Sequence, residues 1–356
     1  MDKARAIGRR WSGPALLALG LAAFAATMPS APALPHPPLQ ALWADWPLDP
    51  ALLAALGCTV AVYLRGARRG PAVERPEPAR IAAFLGGIFA LALALQSPVA
   101  AMAPHSFALD ALAQLLLRTA APALLAMANP AAALRRGLGA VSLPGGALLR
   151  RLARPLPGTA IYVAVAYLWA WPAARDLALI DPLTRAAMDI SLLGSGLCFF
   201  GALFDPRPEP ASPAIGTQLL MVWGAELANV LLGYYLTYTS FPLYSAYAAH
   251  GLLWGVTPFT NEVYGGQTWW LCDTALIGLA AMVAIHRWAR RETRPAPPDP
   301  AALRASQRAS NRLVLLALLG FVGLIVGIMG AGVVLYEVAY HRGVRHAPAI
   351  SVNQIP

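Results

Sequence analysis

The stretch FALDALAQLLLR places an acid, an amide and a guanidinium inside an otherwise apolar segment. Asp110, Gln114 and Arg118 stand four residues apart, so on a helix they share one face. Arg185 and Asp189 repeat this spacing in a second apolar segment. Carboxylates and guanidiniums at such positions form ion pairs, hold protons or orient a polar ligand. The two segments therefore predict polar side chains that meet inside a helical bundle.

Two further acids lie within apolar segments, namely Asp273 and Glu226, the latter with Asn229 one turn away. An uncompensated charge at mid-bilayer costs at least about 2.5 kcal/mol, so these groups should face the interior of a bundle and meet partners of opposite sign. One interpretation is a polar site or relay that opens toward the outer face. The other is a set of interhelical ion pairs and hydrogen bonds that fix the geometry of the bundle.

Soft metal ligands are sparse. Met102 and His105 stand three residues apart in the segment AMAPH, and thioether and imidazole groups suit Cu(I). Histidines in loops are more often solvated than metal-bound, so this pair is only a weak candidate for a metal site, with copper as the metal to test. Cys58, Cys198 and Cys272 are far apart, and no disulfide is predicted.

The composition is that of a membrane protein. The chain has 356 residues, of which 58% are hydrophobic and only 12% charged, and its mean hydropathy is +0.55. Apolar runs close to the length that crosses a bilayer core recur along it. They predict an all-α, polytopic membrane bundle of about nine transmembrane helices. The nine runs are residues 12–28, 51–64, 81–96, 107–127, 159–171, 186–204, 215–238, 267–286 and 313–336.

The arginines predict the orientation. The net charge of +10 comes largely from arginines in loops between apolar runs, the pattern of cytoplasmic loops rather than of a nucleic-acid-binding surface. If the runs alternate, these loops share the cytoplasmic side, and the C-terminus and segments such as residues 173–184 face outward. Residues 1–33 fit either a signal peptide or a signal anchor. Residues 292–312 predict a cytoplasmic Pro/Ala/Arg-rich linker, and residues 313–356 a final span with an outward-facing tail.

The remaining motifs do not indicate catalysis. The sequence contains no P-loop, no glycine-rich dinucleotide fingerprint and no HExxH or GxSxG motif, so no enzyme is predicted. Aromatic residues gather at the predicted outer boundary, where a belt at the lipid–water interface explains them. They include Trp43, Trp46, Tyr238, Tyr244, Tyr247, Trp254, Trp269 and Trp270.

Several motifs between about residues 46 and 288 occur in a recognisable order. They are WPLDP, YLRGARR, SPVA, LLLRTAAPALLAMANP, YLWAWP, DPLTRAAMDISLLGSGLCFFGALF, FPLYSAY and NEVYGGQTWW. Their order and spacing resemble the CtaG family of membrane proteins, described as cytochrome c oxidase assembly factors. The resemblance implies a seven-helix membrane core, here within residues 34–291, and a role in assembling a haem–copper oxidase.

The sequence departs from this family at its histidines. Members usually carry an HMxxH motif at the start of the fourth span, a W-H-x-P motif, and paired histidines at the start of the sixth span. Here Asp110 and Gln114 replace the first pair, and Ala170 replaces the single histidine. Arg185 and Asp189 replace the last pair. The histidines that would form an outward-facing copper site in relatives are therefore absent, and carboxylate, amide and guanidinium groups cannot replace them for Cu(I).

We expect the polar residues of the two stripes to form a network that closes the space where relatives would hold metal. These residues are Asp110, Gln114, Arg118, Arg185 and Asp189. Two acids and two arginines can neutralise one another, so replacing Asp189 with alanine would leave an arginine unpaired. A further departure is Asn261 and Glu262, which stand where the family carries D-Q.

Three functions are consistent with the sequence. The first is an assembly factor for a haem–copper cytochrome c oxidase, which would hold an oxidase subunit or a copper chaperone at the outer face of the cytoplasmic (inner) membrane without needing to bind copper itself. The second is a structural accessory subunit of a respiratory complex, suggested by the lost histidines and the glycine-rich ninth run. The third is an ion- or proton-coupled transporter that uses Glu226 and Asp273. Each has the lipid bilayer as a partner, and none has nucleic acid.

Overall fold

The protein folds into a bundle of α-helices. The computed structural model describes residues 47–70, 75–139, 152, 154–207 and 212–292, and within these ranges it contains no strand. The all-α prediction is thereby confirmed. Helices α1 to α10 are Pro50–Arg69, Pro78–Gln96, Pro98–Met102, Phe107–Ala128, Ala131–Leu138, Pro155–Ala170, Pro172–Ile180, Pro182–Leu203, Ile215–Tyr238 and Ser245–His250. Helix α11 comprises Pro258–Gln267, Thr268–Cys272 and Asp273–Glu292 in unbroken succession.

Six helical segments are long and apolar enough to cross a membrane: α1, α2 together with α3, α4, α8, α9 and α11. Helices α6 and α7 meet at a bend of 73° and together would count as a seventh. These seven segments correspond to the second to eighth predicted runs. The first and ninth predicted runs, residues 12–28 and 313–336, lie outside the described residues, so the count of nine stays a prediction.

Capping side chains and prolines set where several helices begin. The Asp49 carboxylate accepts from the Ala51 amide at 2.8 Å, and the Asp181 carboxylate accepts from the Thr184 amide at 2.7 Å, each just ahead of a proline. These contacts satisfy amides that the first helical turn leaves unpaired. The Thr184 hydroxyl also donates to Asp181, and the two hydrogen bonds lower the pKa of that carboxyl. Both caps lie at the ends of α1 and α8 that are predicted to face outward.

Two helix pairs approach so closely that only glycine fits between them. Gly66 of α1 and Gly137 of α5 each face a backbone carbonyl of the other helix. A Cβ on Gly196 of α8 would collide with the carbonyl oxygen of Arg118 in α4. Small residues commonly permit such contacts between membrane helices. The second contact brings the helices that carry the two polar stripes side by side.

The bend between α6 and α7 returns the chain into the bundle. Trp171 is extended, with φ −63° and ψ 126°, ahead of Pro172, which disfavours a helical conformation in the residue before it. Helix α7 then packs against α8 and α10 and buries Arg175 completely. The sequence predicts that residues 173–184 face outward and does not single out Arg175, which the structure buries inside the bundle. Its buried charge is held by the partners described below.

Candidate functional site: a buried polar network

The polar stripe of α4 is buried. Asp110 and Gln114 are 0% exposed and Arg118 is 2% exposed. Gln114 Nε2 donates to Asp110 Oδ2 at 2.6 Å, a contact between side chains one turn apart on the same helix face. Buried charges are stable only when neighbouring groups of opposite sign and hydrogen-bond partners surround them. The neighbouring helices supply both.

Asp110 lies between two guanidiniums. Arg175 Nη1 of α7 is 2.8 Å from Asp110 Oδ2, and Arg185 Nη1 of α8 is 2.8 Å from Asp110 Oδ1. Arg185 Nε also reaches Asp189 Oδ1 at 3.4 Å. The two acids and two arginines balance in charge. We call these four residues, together with Gln114, the outer cluster, because it lies toward the end of the bundle that the sequence predicts to face outward.

Arg175 is enclosed on all sides. Its Nε donates to the carbonyl oxygen of Trp169 at 3.0 Å, and its Nη2 donates to Gln114 Oε1 at 3.1 Å. Its guanidinium carbon lies 4.8 Å from the ring centre of Phe107 and 5.1 Å from that of Tyr244. Aromatic faces attract a desolvated cation by roughly 0.5 to 2 kcal/mol. Hydrogen bonds in the guanidinium plane and rings beside it therefore fix both the charge and the orientation of this side chain.

Tyr247 links α10 to the outer cluster. Its hydroxyl donates to Asp110 Oδ2 at 2.7 Å and accepts from Arg175 Nη1 at 3.3 Å. Burial, followed by the nearby Asp110 charge, raises the pKa of Tyr247 well above its ordinary value, so the hydroxyl keeps its proton. Asp176 of α7 caps α10 by accepting from the Ser245 amide at 3.1 Å. The segment between α9 and α11 is thereby fastened to the buried charges.

A second group of polar residues, the inner cluster, lies deeper in the bundle. Arg118, about 16 Å along α4 from its first residue, forms an ion pair with Asp273 of α11. Thr119 Oγ1 donates to Asp273 Oδ1 at 2.6 Å. Arg118 also donates to Asn229 Oδ1 at 3.3 Å and lies 4.4 Å from the ring centre of Tyr162. These five residues join four helices around one neutral ion pair.

Two π-helical turns flank this ion pair. The segment Leu116–Ala120 of α4 contains Arg118, and the segment Thr268–Cys272 of α11 ends directly before Asp273. A π turn widens a helix by one residue and is frequent at functional sites. The presence of one in each partner helix makes the inner cluster a candidate site in its own right.

Glu226 of α9 extends the inner cluster. The Thr274 hydroxyl, next to Asp273 in the chain, donates to Glu226 Oε1. Glu226 Oε2, Asn229 Nδ2 and Arg118 Nε have no hydrogen-bond partner within the described residues. The inner cluster therefore carries two unused donors and one unused acceptor, which water or a small polar ligand would satisfy.

The structure separates the residues that were expected to form a single network. The outer cluster contains four of the five, and Arg118 belongs to the inner cluster instead. Arg185 contacts Asp110 as well as Asp189, so loss of Asp189 would still leave Arg185 one carboxylate. That substitution should therefore destabilise the protein less than an arginine left wholly unpaired would.

Sequence reasoning missed Arg175, which is as fully buried as Asp110 and Gln114. One signal could have found it: an arginine on the predicted outer side runs against the bias of basic residues toward the cytoplasm. Its contact with Asp110 depends on the 73° bend, and no sequence spacing encodes that contact.

Three aromatic residues assigned to an interfacial belt lie inside the bundle. Tyr244, Tyr247 and Trp269 are 3%, 1% and 0% exposed. The Trp269 ring lies 5.1 Å from the guanidinium carbon of Arg118 and 5.6 Å from that of Arg175. The belt interpretation was wrong for these three: the rings of Tyr244 and Trp269 lie beside buried guanidiniums, and the Tyr247 hydroxyl bonds Asp110 and Arg175.

The residues in place of the family's D-Q hold backbone amides. Asn261 Oδ1 accepts from the Phe107 amide at 2.9 Å and so pairs an amide at the start of α4. Glu262 Oε2 accepts from the Leu243 amide at 3.1 Å. Both side chains tie the start of α11 to neighbouring segments, which is a structural role.

The outer cluster does not fit a copper ion. Both of its carboxylates face arginines, its amide contacts Asp110 and Arg175, and a guanidinium is a permanent cation that ligates no metal. Across the described part of the chain, no three or more His, Cys, Asp and Glu side chains are grouped so that they could hold a metal ion. Met102 ends α3, and His105 Nδ1 lies 2.9 Å from the carbonyl oxygen of Gly251.

These features define a class: a protein that is all-helical over its described residues, with six or seven segments able to cross a membrane and two clusters of polar and charged side chains buried among them. A family model described as "Cytochrome c oxidase caa3 assembly factor (Caa3_CtaG)" matches residues 61–291. The chain therefore belongs to this family, and the resemblance noted from its motifs is confirmed. Comparisons with curated proteins and with solved structures find no match. The family indicates a factor that assists assembly of cytochrome c oxidase, a role that is not catalytic.

Proposed function

We propose that this protein assists assembly of a haem–copper cytochrome c oxidase from the outer face of the cytoplasmic membrane, and that its outer cluster is a structural element and not a copper site. Family membership supports the oxidase as client. The observation that carries the second part is the position of Asp110 between Arg175 and Arg185, each 2.8 Å away.

The chemistry of the outer cluster opposes metal entry. A cation would have to approach two fixed guanidiniums and displace at least one of them from Asp110. Like charges repel strongly in a buried, weakly screened environment. An arginine stripped of its carboxylate there is costly as well. The cluster instead joins α4, α7 and α8, and Tyr247 fastens α10 to it. It so holds the connecting segments that would contact an oxidase subunit or a copper chaperone.

The test is a strain that lacks the gene. Terminal oxidase activity and haem a absorbance are measured in its membranes, with and without copper added to the growth medium. We expect both signals to fall and to stay low with added copper, and the intact gene to restore them. Normal activity in both conditions would contradict the oxidase role, and recovery with copper alone would contradict a scaffold in favour of copper supply.

A second measurement tests the outer cluster directly. Copper content is compared between the purified protein and its Asp189→Asn variant, which changes a carboxylate of the outer cluster and leaves the bond from Tyr247 to Asp110 intact, after equal exposure to Cu(I). We expect equal contents, because the cluster contributes no ligand. A loss of bound copper in the variant would place a metal at the cluster and overturn this part of the proposal.

Proton-coupled transport is the second candidate, and one observation favours it. Glu226 is an intramembrane acid, and one of its carboxylate oxygens has no hydrogen-bond partner among the described residues. The other accepts from the hydroxyl of Thr274, the residue that follows Asp273. In liposomes, a pH-dependent ion flux that Glu226→Gln abolishes would support this function. The absence of flux, together with lost oxidase activity in the deletion strain, would leave the assembly role.

A further inference from the structure

Two histidines from distant parts of the chain meet at the predicted outer end of the bundle. His105 ends the helical turn that follows α3, and His250 is the last residue of α10. Their ring centres are 6.2 Å apart, and the ring planes are nearly perpendicular at 87°. His250 is exposed and His105 is partly exposed, so both rings are accessible from solvent. Neither residue belongs to the outer or the inner cluster.

Both rings are held in the same tautomer. His105 Nδ1 lies 2.9 Å from the carbonyl oxygen of Gly251, and His250 Nδ1 lies 2.8 Å from that of Ala246. Because a carbonyl oxygen only accepts, each neutral ring carries its proton on Nδ1 and its lone pair on Nε2. Histidine metal ligands almost always have the other ring nitrogen bonded in this way, often to a backbone carbonyl, which fixes the ring and raises its basicity.

Backbone and side-chain bonds hold His105 and His250 in fixed positions. The carbonyl that anchors His105 belongs to Gly251, the residue directly after His250, so the two rings are placed by one short piece of backbone. Gly251 has φ +84°, a conformation that favours glycine. Helix α10 is fixed in turn by the bond from Tyr247 to Asp110. The two imidazoles are therefore positioned before any ligand arrives.

The distance between the ring centres permits one shared metal ion, provided that both Nε2 atoms turn toward it. With metal–nitrogen distances of about 2.0 Å, two imidazoles that bind one ion place their ring centres roughly 5 to 6.3 Å apart, the upper value corresponding to nearly collinear nitrogens. The observed 6.2 Å lies at that upper value. Cu(I), a closed-shell ion, accepts two nearly collinear nitrogen ligands. Structural Zn(II) generally takes four ligands, and no group of three or more His, Cys, Asp and Glu side chains suited to a metal occurs in the described residues.

We propose that His105 and His250 bind a single Cu(I) ion through their Nε2 atoms. This site lies outside the positions where the family carries histidines. It does not rest on the proposed assembly role, because binding is measured on the purified protein alone.

The test is an anaerobic titration of the purified full-length protein with Cu(I) in competition with a chromophoric Cu(I) chelator. His36, His341 and His346, which lie outside the described residues, are replaced by glutamine in every protein compared. Loss of a group that merely orients a metal ligand weakens binding by roughly 10- to 100-fold. Loss of the ligand itself in His105→Gln or His250→Gln should therefore weaken Cu(I) binding by at least about tenfold. Glutamine keeps an N–H group able to bond the carbonyl, and unchanged melting temperatures show that the variants are folded.

The matched control is His286→Gln, which changes an exposed histidine near the C-terminal end of α11, away from His105 and His250 in the chain. We expect it to bind one equivalent of Cu(I) with unchanged affinity, and the X-ray absorption spectrum of the copper-loaded control to show nitrogen ligands in low coordination. Equal binding by the two site variants and this control would overturn the proposal. So would a variant effect on only one of the two histidines, or tighter binding of Zn(II) than of Cu(I).

Discussion

At the residue scale, Asp110 and Asp189 differ in how many charges depend on them. Asp110 faces two guanidiniums and its side chain is 1% exposed, whereas Asp189 faces one and is 17% exposed. We expect Asp110→Asn to lower the free energy of unfolding by about 3 to 5 kcal/mol, because it leaves Arg175 buried without a carboxylate. Asp189→Asn should cost no more than about 1 kcal/mol, as for a partly exposed pair. Denaturant unfolding in detergent micelles measures both.

The two asparagine variants are matched controls for each other. Asparagine has nearly the shape of aspartate, so the difference between the variants reports on charge. Equal losses of stability, or a greater loss in the Asp189 variant, would contradict the placement of Asp110 at the centre of the outer cluster.

Substitutions in the ion pair between Arg118 and Asp273 test whether the inner cluster only stabilises the protein or also takes part in its activity. Asp273→Asn should destabilise the protein by about 3 to 5 kcal/mol because it leaves Arg118 buried and unpaired. The double variant Arg118→Met with Asp273→Leu should recover most of that loss, since apolar side chains fill the space without a charge. We expect oxidase activity in cells to recover together with stability. A stable double variant without oxidase activity would show that the inner cluster takes part in function.

How far the sequence predicts the two clusters depends on the distance between partners. The spacing of four places Asp110 and Gln114 on one helix face, and Arg185 and Asp189 on another, since helix geometry is local. The pairing of Arg118 with Asp273 spans 155 positions. Several acids and arginines of opposite sign were available, and only the packing of the helices decides which of them meet.

At the scale of helices, the contact between α4 and α8 depends on one glycine. Gly196→Ala places a Cβ against the carbonyl oxygen of Arg118, and backbone cannot yield as a flexible side chain can. Forced overpacking of this kind costs typically about 1 to 3 kcal/mol. We therefore expect a lower melting temperature and weaker retention of the protein in membranes.

The control for that prediction lies two residues earlier on the same helix. Nothing lies within 4 Å of a Cβ placed on Gly194, so Gly194→Ala should be neutral, or stabilising by up to about 1 kcal/mol through helix propensity. Equal destabilisation by the two alanine variants would mean that α8 does not pack on α4 through Gly196.

The long helices were predictable, and the short ones were not. Apolar length located the segments from α1 to α11 that could span a membrane, because a bilayer demands about 20 apolar residues. Helices α7 and α10 are 9 and 6 residues long and carry charged or polar side chains, so hydropathy gave no sign of them. The start of α11 was placed nine residues late, because its first turns, from Pro258, are too polar to extend the apolar run.

At the scale of the whole molecule, orientation in the membrane is a testable prediction. The arginine-rich loops predict that residues 141–150, between α5 and α6, are cytoplasmic and that the C-terminus is outside. Alkaline phosphatase, which becomes active only outside the cytoplasm, should be active when fused after residue 356 and inactive when inserted within residues 141–150. The reverse pattern would mean that the topology is opposite to the predicted one. Inactivity at both sites would mean that residues 313–336 do not cross the membrane.

The long separation between buried partners also bears on how the protein is made. Asp110 enters the membrane 65 positions before Arg175, and Arg118 enters 155 positions before Asp273. In a nascent chain, Arg118 of α4 therefore has no carboxylate partner until α11 emerges from the ribosome. Until then an unpaired charge in α4 makes its exposure to lipid costly, so we expect the insertion machinery to keep this helix out of contact with lipid. We therefore expect a chain truncated before α11 to be less stable in the membrane, because Arg118 then lacks its carboxylate partner.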